Sequence, residues 1–547
     1  MKLIRFFLSI LLTFALHATA QTTGIPSVTP SPKHEVRAVW LATIGGIDWP
    51  SSHQKEDQQR ELCAILDQLK LAGINTVLFQ ARIRATTAYP SDMEPWEGAI
   101  TGTPGRSPGY DPLQFCIEEC HRRGIECHAW VVTLPIGKWN KNGCQQLRKK
   151  YPKLVKRIKD EAYMDPENPL TATYLANLCL DITKRYDVDG IHLDYIRYPE
   201  TWKLKVSREK GRQHITNIVR KIHDAVKSEK PWVKLSCSPI GKHDNLTRYS
   251  AGGWNARTAV CQDAQQWLKE GLMDQLYPMM YFRDNQFFPF AIDWQEKAYG
   301  RMVVPGLGIY FLDPKEGKWT LDMVERQMHV LRQLNMGHCY FRSKFFTNDT
   351  RGIYQFGRQF DATPALIPPM TWAGKPLPSP PTSFTLTAGT LSWQGARDNS
   401  GGPYLLYNLY ASRDFPVDVN KAENLVATRL TVNSLRVPAN PKKNYAITAV
   451  DRYGQESAPR QLLLTDDPVY GVPLIVKTNG RSIALPKTDS PLDAEFVVIE
   501  TLMGQSVSVK PFASVIDISN LPNGIYQLRS LGRKGRNHRI GFFAIKR

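Results

Sequence analysis

Residues 190–199, with the sequence GIHLDYIRYP, carry the side chains of this chain that are best suited to chemistry. Strand alternation places His192 and Asp194 on one face of a short apolar strand, and Arg197 follows three residues later. A carboxylate beside a guanidinium at a strand end predicts a site for a polar substrate. We expect Arg197 to lower the pKa of Asp194 and keep it ionised. The alternative is a structural Asp–Arg pair that closes the strand end.

The elements that must position this segment alternate between short apolar strands and helical stretches over about residues 35–360. Eight such rounds predict an α/β fold of the (β/α)8 TIM-barrel type, in which chemistry lies at the carboxyl ends of the strands. No glycine-rich phosphate loop follows the first strand, which argues against a nucleotide-binding sheet. The predicted strands are residues 36–43, 76–82, 126–132, 190–196, 233–239, 275–281, 302–310 and 337–343.

The residues that follow these strands are mostly aromatic, acidic or basic, although each tryptophan taken alone could simply pack in the core. Aromatic rings stack on sugar faces, and carboxylates and guanidinium groups bind hydroxyls, so this composition favours a carbohydrate site. Glycoside hydrolysis needs two carboxyl groups, and we predict Asp194 as the nucleophile or general base. Candidate proton donors are, in order, Asp284, Glu94 and Asp48. The predicted substrate-binding residues are Asp48, Trp49, Arg82, Trp96, His128, Trp130, His192, Arg197, Tyr198, Tyr277 and Tyr281.

Other catalytic chemistries find no matching pattern in the sequence. There is no nucleophile elbow for a Ser-His-Asp triad, no HExxH and no CxxC pair. Cys116 and Cys120, followed by His121, are interpreted as one face of a helix. The nine cysteines are odd in number and several lie in apolar segments, which favours buried free thiols over a disulfide framework. We therefore predict no metal and no cofactor.

Several short motifs occur in a fixed order along the chain. They are VRAVW at 36–40, IDWP at 47–50, FQAR at 79–82, YPS at 89–91, EPW at 94–96, HAW at 128–130, MDP at 164–166, RYDVDG at 185–190 leading to Asp194 and RYP at 197–199, SP at 238–239, WLKEG at 267–271 and YP at 277–278. With these motifs, residues 35 to about 346 resemble the glycosyl-hydrolase-like family 10, a bacterial group of (β/α)8 domains. The resemblance implies a glycosidase, and some members act on bacterial cell-wall glycans.

The chain departs from the pattern of that family at three places. Thr86 and Thr87 stand where an acidic residue is frequent, and Met279 stands where glutamine is common. Residues 131–134 read VVTL, where Asn-Pro-Tyr-Arg is often found. These departures leave the expected fold intact and leave the exact substrate open.

The first residues have the pattern of an export signal. Lys2 and Arg5 precede an apolar run at 6–16, and Ala-Thr-Ala at 18–20 is typical of a cleavage site. We predict a signal peptide at residues 1–20 and a periplasmic or secreted protein, with no transmembrane segment after cleavage.

The C-terminal part of the chain has a different texture. Residues 361–381 are rich in proline and predict a linker, after which residues 382–465 resemble a fibronectin type III β-sandwich. Residues 472–547 predict a small C-terminal β-domain, which resembles those that end some exported bacterial proteins. Because a linker should make few contacts, a barrel that ends near Pro368 is expected to fold alone.

The formal net charge of +19 is compatible with an anionic polymer as substrate. Nucleic acid is not expected, because no binding module is recognisable. The sequence therefore predicts an exported glycoside hydrolase that acts on an oligo- or polysaccharide, with bacterial cell-wall glycan first and host or dietary polysaccharide second. Two alternatives stay open: a non-catalytic carbohydrate-binding protein on a barrel scaffold, and an adhesion protein whose sandwich domains bind. No oligomeric state follows from the sequence.

Overall fold

The structure is a computed structural model that describes residues 31–437, 443–464, 474–475, 480–485, 494–502, 505–532 and 537–547. The predicted signal peptide at residues 1–20 lies outside these residues. Across the described part of the chain, no helix combines the length and apolar character needed to cross a membrane.

Parallel strands form a closed barrel, which confirms the predicted fold class. In order they are β1 Arg37–Leu41, β2 Thr76–Arg82, β3 Glu126–Val132, β4 Gly190–Asp194, β5 Lys234–Ser238, β6 Gln275–Leu276, β7 in two pieces, Met302–Val303 and Gly306–Leu307, and β8 His338–Tyr340. Hydrogen bonding runs from the first piece of β7 through β6, β5, β4, β3, β2, β1 and β8 to its second piece. Since Val304 and Pro305 alone separate the two pieces, the sheet closes on itself.

Helices cover the outside of the barrel. They are α1 Lys55–Leu71, α2 Pro112–Arg122, α3 Pro169–Arg185, α4 Arg208–Glu229, α5 Ala264–Lys269, α6 Phe288–Glu296, α7 Leu321–Gln333 and α8 Ile353–Phe360, with shorter helices at Gly98–Thr101, Asn142–Lys150, Ala256–Ala259 and Ser343–Thr347. Local sequence fixes several starts: the side chain of Asp111 caps α2 by accepting from Gln114 N, and proline occupies the first turn.

Strand alternation divides the barrel residues between two apolar clusters. Ile191 and Leu193 of β4 point outwards and pack with the helices in the larger cluster. Trp40 of β1 and Trp130 of β3 belong to the cluster that fills the barrel interior. A small antiparallel sheet, formed by Pro135–Lys138, Val155–Ile158 and Glu161–Met164, is inserted between β3 and α3 at the carboxyl end of the barrel.

The amino end of the barrel is closed by a buried network of charges. Arg332 donates to both carboxylate oxygens of Glu35 (2.8 and 2.7 Å) and to Asp361 Oδ1 (2.6 Å). Arg37 Nε donates to Glu35 Oε2 (2.7 Å), and His338 Nε2 lies 3.1 Å from Asp361 Oδ2. These side chains are at most 3% exposed. The network joins the starts of β1 and β8 to the end of α8.

The C-terminal part consists of antiparallel sheets, as predicted. A three-stranded sheet (Ser383–Thr387, Thr390–Gln394, Ser434–Arg436) and a four-stranded sheet (Leu425–Leu430, Leu406–Ser412, Asn444–Val450, Arg460–Leu462) come first. A five-stranded sheet (Leu474–Ile475, Asn537–Ile545, Gly524–Gly532, Ala494–Thr501, Ser506–Pro511) and the pair Ser482–Ala484 and Val515–Asp517 follow. The resemblance of the first two sheets to fibronectin type III stays a prediction.

Residues 361–381 do not behave as a linker with few contacts. Ile367 and Met370 are buried in the cluster that fills the barrel, and Trp372 Nε1 donates to Asp274 Oδ1 (3.0 Å). The prediction of a loosely connected barrel is therefore wrong for this segment, because its apolar side chains cover the amino end of the barrel.

The four-stranded sheet also contacts the amino end of the barrel through charged side chains. Arg429 donates to Glu126 Oε1 (2.9 Å) at the start of β3 and to Asp189 Oδ1 (2.6 Å) just before β4. Arg452 lies 3.1 Å from Asp187 and 3.4 Å from Asp189. Three barrel carboxylates, Glu126, Asp187 and Asp189, thus depend for part of their charge pairing on arginines in or next to another sheet.

Candidate active site

Asp194 ends β4 at the carboxyl end of the barrel, in register with Val132 of β3 and Ser238 of β5. Its Oδ1 accepts from Ser238 Oγ (2.7 Å) and from the backbone N–H of Tyr195 (2.8 Å). Its Oδ2 accepts from Trp130 Nε1 (3.2 Å). Three donors therefore fix the orientation of a partly exposed carboxylate where barrel enzymes carry out their chemistry.

The local sequence explains why β4 begins and ends where it does. Gly190 at its start faces the ring of His128, and a Cβ there would lie 2.6 Å from His128 Nδ1. At the other end, Tyr195 has φ 55°, a left-handed conformation that non-glycine residues adopt at a cost. This conformation stops the strand directly after Asp194 and turns the Tyr195 N–H onto the carboxylate.

Burial raises the pKa of Asp194, and the hydrogen bond from Ser238 is the largest of the opposing effects. The charge of Arg197 lowers the pKa of Asp194, as predicted, but burial outweighs this effect and Arg197 forms no ion pair with the carboxylate. Arg197 Nη2 instead pairs with Glu200 Oε1 (2.9 Å), and its guanidinium lies over the ring of Tyr195 at 3.8 Å. Among the described residues, no lysine or arginine forms an ion pair with Asp194. The physical reason is that Glu200, in the same loop, is the closer anion.

Aromatic rings surround the mouth of the barrel near Asp194. Trp130 is 5% exposed, and Tyr281, after β6, packs its ring 5.2 Å from Phe341 and 5.7 Å from Tyr310. The hydroxyl of Tyr281 is buried without a hydrogen-bond partner among the described residues. Burial raises the pKa of Tyr281 well above its ordinary value, and the charge of Asp194 adds to this effect. The hydroxyl of Tyr281 is thus a donor without a partner among the described residues, and the charge of Asp194 acts on it.

Three predicted substrate-binding residues lie inside the barrel, where no glycan reaches them. His192 is completely buried between the Nε1 of Trp40 (3.2 Å) and Ser236 Oγ (2.9 Å). Burial lowers its pKa well below the ordinary value, so His192 is neutral. His128 and Tyr277 are equally buried. The prediction is wrong for these three residues. Strand alternation points their side chains into the barrel, as it does for Asp194, but they lie one or more layers of side chains below the mouth.

Glu94 is not available as a proton donor. Its carboxylate accepts from Arg82 Nη2 (2.6 Å) and Arg82 Nε (2.8 Å), and from the hydroxyl of Tyr174 (3.0 Å). Arg82 also donates to the carbonyls of Val132 and Thr133. Both side chains are at most 1% exposed. This bidentate pair ties the loop after β2 to the end of β3, which corrects the predicted roles of Glu94 and Arg82.

Asp48 and Trp49 are also structural. Asp48 pairs with Arg342 and accepts from the backbone N–H of Ala42 (2.9 Å), and its side chain is fully buried. Trp49 has no exposed surface and donates from Nε1 to the carbonyl of Gln58 (2.9 Å). Together they lock the loop after β1, so the predicted substrate contacts of both residues are corrected.

The remaining candidates differ in exposure. Tyr198 is 1% exposed and packs edge-on against Trp202, away from solvent, which corrects its predicted role. Trp96 is partly buried and packs against the outer core. Asp284 is exposed in the loop after β6, with φ 48°. Of the predicted proton donors, Asp284 is the one that solvent can reach.

A cavity of about 490 Å³ opens among the loops after β1, β2 and β3. Three exposed basic side chains, Arg84, Lys138 and Lys141, line it together with Glu97. Glu97 is already engaged by Thr86 Oγ1 (2.6 Å) and by the N–H of Ala99 (3.2 Å). A larger cavity of about 730 Å³ lies at the opposite, amino end, so size alone does not identify the site. The basic cavity shares the carboxyl end with Asp194.

Ser238 is the residue of this site that the sequence-based candidates omit. It ends the predicted fifth strand and belongs to the SP motif at 238–239, so strand alternation across β5 could have identified it. Taken together, a closed (β/α)8 barrel and an oriented carboxylate among aromatic rings define a glycoside hydrolase type of site.

Comparison with known proteins agrees with this class. The family model "Glycosyl hydrolase-like 10" matches residues 35–209 and 203–311, which is half of the chain. The chain therefore belongs to the glycosyl hydrolase-like 10 family, as its sequence motifs predict, and is a glycoside hydrolase.

Two curated relatives support the same assignment. Glycosyl hydrolase YngK of Bacillus subtilis is 27% identical over 77% of this chain and 92% of its own length. Glycosyl hydrolase DigH of Escherichia coli is 30% identical over 47% of this chain and 68% of its own length. A solved structure, the PgaB (BpsB) glycoside hydrolase domain of Bordetella bronchiseptica, aligns with a TM-score of 0.43 and 15% identity, over 60% of this chain and 99% of that one. At that distance the alignment defines neither substrate nor mechanism.

Proposed function

We propose that this protein is an exported glycoside hydrolase in which Asp194 is the nucleophile or general base. The observation that carries this proposal is the contrast among the candidate carboxylates. Glu94 is held in an ion pair by the buried Arg82 and Asp48 by the partly exposed Arg342, whereas Asp194 forms no ion pair and is oriented by neutral donors at the mouth of the barrel. A carboxylate that is oriented by hydrogen bonds but forms no ion pair can direct its charge at the sugar.

The surroundings of Asp194 suit this role. A base is more effective when its pKa is raised towards the working pH while it stays ionised, and burial acts in that direction. The second carboxyl group that the reaction needs is assigned to Asp284, because it is exposed in the loop after β6.

The proposed substrate is a glycan that carries negative charge, with bacterial cell-wall glycan as the first candidate. Support comes from the cavity lined by Arg84, Lys138 and Lys141 and from the net charge of +19. Export to the periplasm or the medium is supported by the signal-like pattern of residues 1–20. An exported, basic hydrolase would meet such a glycan outside the cytoplasm.

The catalytic assignment is tested with Asp194→Asn. We expect release of reducing sugar ends to fall about a thousandfold, because general base or nucleophilic catalysis is lost while the shape of the side chain is kept. The thermal midpoint should stay equal or rise slightly, since a buried charge is removed. Asp67→Asn, an exposed change on α1, is the control and should leave the rate unchanged. Full activity of Asp194→Asn would refute the assignment.

The substrate class is tested by measuring hydrolysis of cell-wall glycan strands, acidic host glycans and neutral polysaccharides at rising salt. Exposed charges are screened over about 8 Å at physiological ionic strength, so KM for an anionic glycan should rise with salt. Lys141→Gln should weaken this dependence, whereas Lys149→Gln, outside the cavity, should not. A flat salt profile on the best substrate would favour a neutral polysaccharide. Binding of glycans without any hydrolysis would instead indicate a carbohydrate-binding or adhesion protein.

A further inference from the structure

Three of the nine cysteines meet at one point between α2 and β3. The Sγ atoms of Cys116 and Cys120 are 4.0 Å apart, and that of Cys127 lies 3.9 Å from Cys116. All three sulfur atoms lie within 4.8 Å of one another, and none of the three residues has exposed surface. The cluster lies in the outer core of the barrel, away from Asp194.

The periodicity of helix α2 and the alternation of strand β3 together bring these three thiols to one place. Cys116 and Cys120 are four residues apart and so share one face of α2. Gly124, with φ 69°, turns the chain after the helix, and Cys127 then points outwards from β3 towards that face, because its neighbour His128 points inwards. The interpretation of Cys116 and Cys120 as a helix face is correct, but it did not include the third thiol from the next strand.

The three thiols affect one another's pKa values in opposite directions. Burial opposes ionisation of Cys120, but hydrogen bonds from Cys116 and Cys127 and the charge of His121 together lower its pKa. The pKa of Cys116 and of Cys127 is instead raised well above the ordinary value.

We propose that Cys116, Cys120 and Cys127 form a three-thiolate binding site for a soft monovalent metal ion, Cu(I). Two of the three sulfur separations are 3.9 and 4.0 Å and the third is at most 4.8 Å, so an ion in the plane of the sulfurs would lie ~2.3–2.5 Å from each, close to an ordinary metal–thiolate distance. Soft thiolate ligands select Cu(I) among the candidate metals. Binding would release the thiol protons to solvent, so affinity should rise with pH.

Zinc fits the same cluster less well because it needs a fourth ligand. Among the described residues, no histidine, aspartate, glutamate or further cysteine joins the three sulfurs. His121, which is the nearest in sequence, has its Nε2 2.8 Å from Asp189 Oδ2. A cluster with three ligands and no fourth matches an ion that accepts trigonal coordination.

The test uses the full chain, reduced and free of oxygen, to which Cu(I) is added in the presence of a competing chelator. We expect about one Cu(I) per chain to be retained, with X-ray absorption that shows three sulfur neighbours at ~2.3 Å. Because the site is buried, loading should be faster when Cu(I) is present during refolding. Retention by fewer than a tenth of the chains, coordination by nitrogen or oxygen, or stronger retention of Zn(II) would overturn the proposal.

Matched variants identify the ligands. Cys127→Ala should reduce retention at least tenfold, whereas Cys237→Ala, an equally buried thiol of β5, should keep it. Circular dichroism and glycan hydrolysis check that each variant is folded, and the absorption spectrum of the unaltered chain decides the question if Cys127→Ala does not fold. Equal retention in both variants, or a disulfide among the three cysteines in the isolated protein, would contradict the assigned site.

Discussion

At the amino end of the barrel, Glu35 and Asp361 are shared between two buried arginines, Arg37 and Arg332, whereas at the carboxyl end Asp194 has neutral donors alone. Both ends withdraw carboxylates from water, although Asp194 stays partly exposed, so burial alone does not distinguish structure from chemistry. What differs is the partner: two arginines and His338 lower the pKa of Asp361, whereas Asp194 forms no ion pair and its pKa is raised. The candidate for catalysis is therefore the carboxylate that the fold leaves without an ion pair.

The same difference has opposite consequences for stability. The pKa of Asp361 is lowered by Arg37, His338 and Arg332 despite burial, so its pairing contributes stability above the ordinary pKa of an aspartate. The pKa of Asp194 is raised, so the folded state loses stability as pH rises through that pKa. The charge network at the amino end therefore stabilises the fold, whereas ionised Asp194 at the carboxyl end destabilises it and provides a reactive group.

The largest effect is expected from breaking the network at the amino end. Arg332→Ala leaves Glu35 and Asp361 buried with fewer cations, which should lower the free energy of unfolding by about 3–5 kcal/mol. Chemical denaturation measures this change. Arg326→Ala, an exposed arginine on the same helix, is the control and should cost little. A loss below about 1 kcal/mol for Arg332→Ala would mean that the network is not what holds this end together.

A smaller loss is expected where the four-stranded sheet reaches the barrel. Arg429→Ala removes one charged partner from Glu126 and one from Asp189, and should cost about 1.5–3 kcal/mol at pH 7. Despite burial, Lys234 and Arg429 lower the pKa of Glu126 from 4.5 to about 2. The stability due to this pairing is therefore present above pH 4.5 and is lost as pH falls towards 2.

Acid titration of the unfolding free energy tests this contact in a second way. The unaltered protein should lose stability between pH 7 and pH 3, and Arg429→Ala should lose less over the same range, because its Glu126 starts less strongly paired. Equal slopes would show that Lys234 alone determines the charge state of Glu126.

Much of the fold was predictable because it depends on local patterns. Alternation in β4 correctly places Asp194 inward at a strand end, and the period of apolar residues predicts the helices around the barrel. The same alternation cannot distinguish the layers inside the barrel, so His192 was expected in the site although it lies buried beside Trp40. The depth of an inward side chain below the barrel mouth depends on where along the barrel axis its strand ends. The alternation of residue types does not contain that information.

Charge partners were the least predictable part of the site. The sequence suggests Arg197 for Asp194 by proximity, but Arg197 pairs with Glu200, which is equally near in sequence. Glu94 finds Arg82 twelve residues away and Tyr174 eighty residues away, in a contact that depends on how α3 packs against the loop after β2. Tertiary packing decides such pairs, so residue type and spacing alone mark several carboxylates as equal candidates.

The smallest and most specific effect is expected from Ser238→Ala, which alters the partners of Asp194 and leaves its carboxylate in place. The hydrogen bond from Ser238 Oγ (2.7 Å) lowers the pKa of Asp194, so its removal should raise that pKa further. Because the base must be ionised, the acid limb of the pH profile of kcat/KM should move to higher pH. The rate above that limb should fall about tenfold, since one oriented donor is lost.

Ser236→Ala is the matched control, because Ser236 lies two residues earlier on the same inward face of β5 and contacts His192 instead of Asp194. It should leave the acid limb unchanged, although it removes a hydroxyl of the same size from the barrel interior. If the limb moves equally in both variants, the shift comes from a general change in the barrel. If it moves in neither, Asp194 is not the group whose ionisation controls catalysis, and the contrast between the two ends of the barrel does not identify the reactive carboxylate.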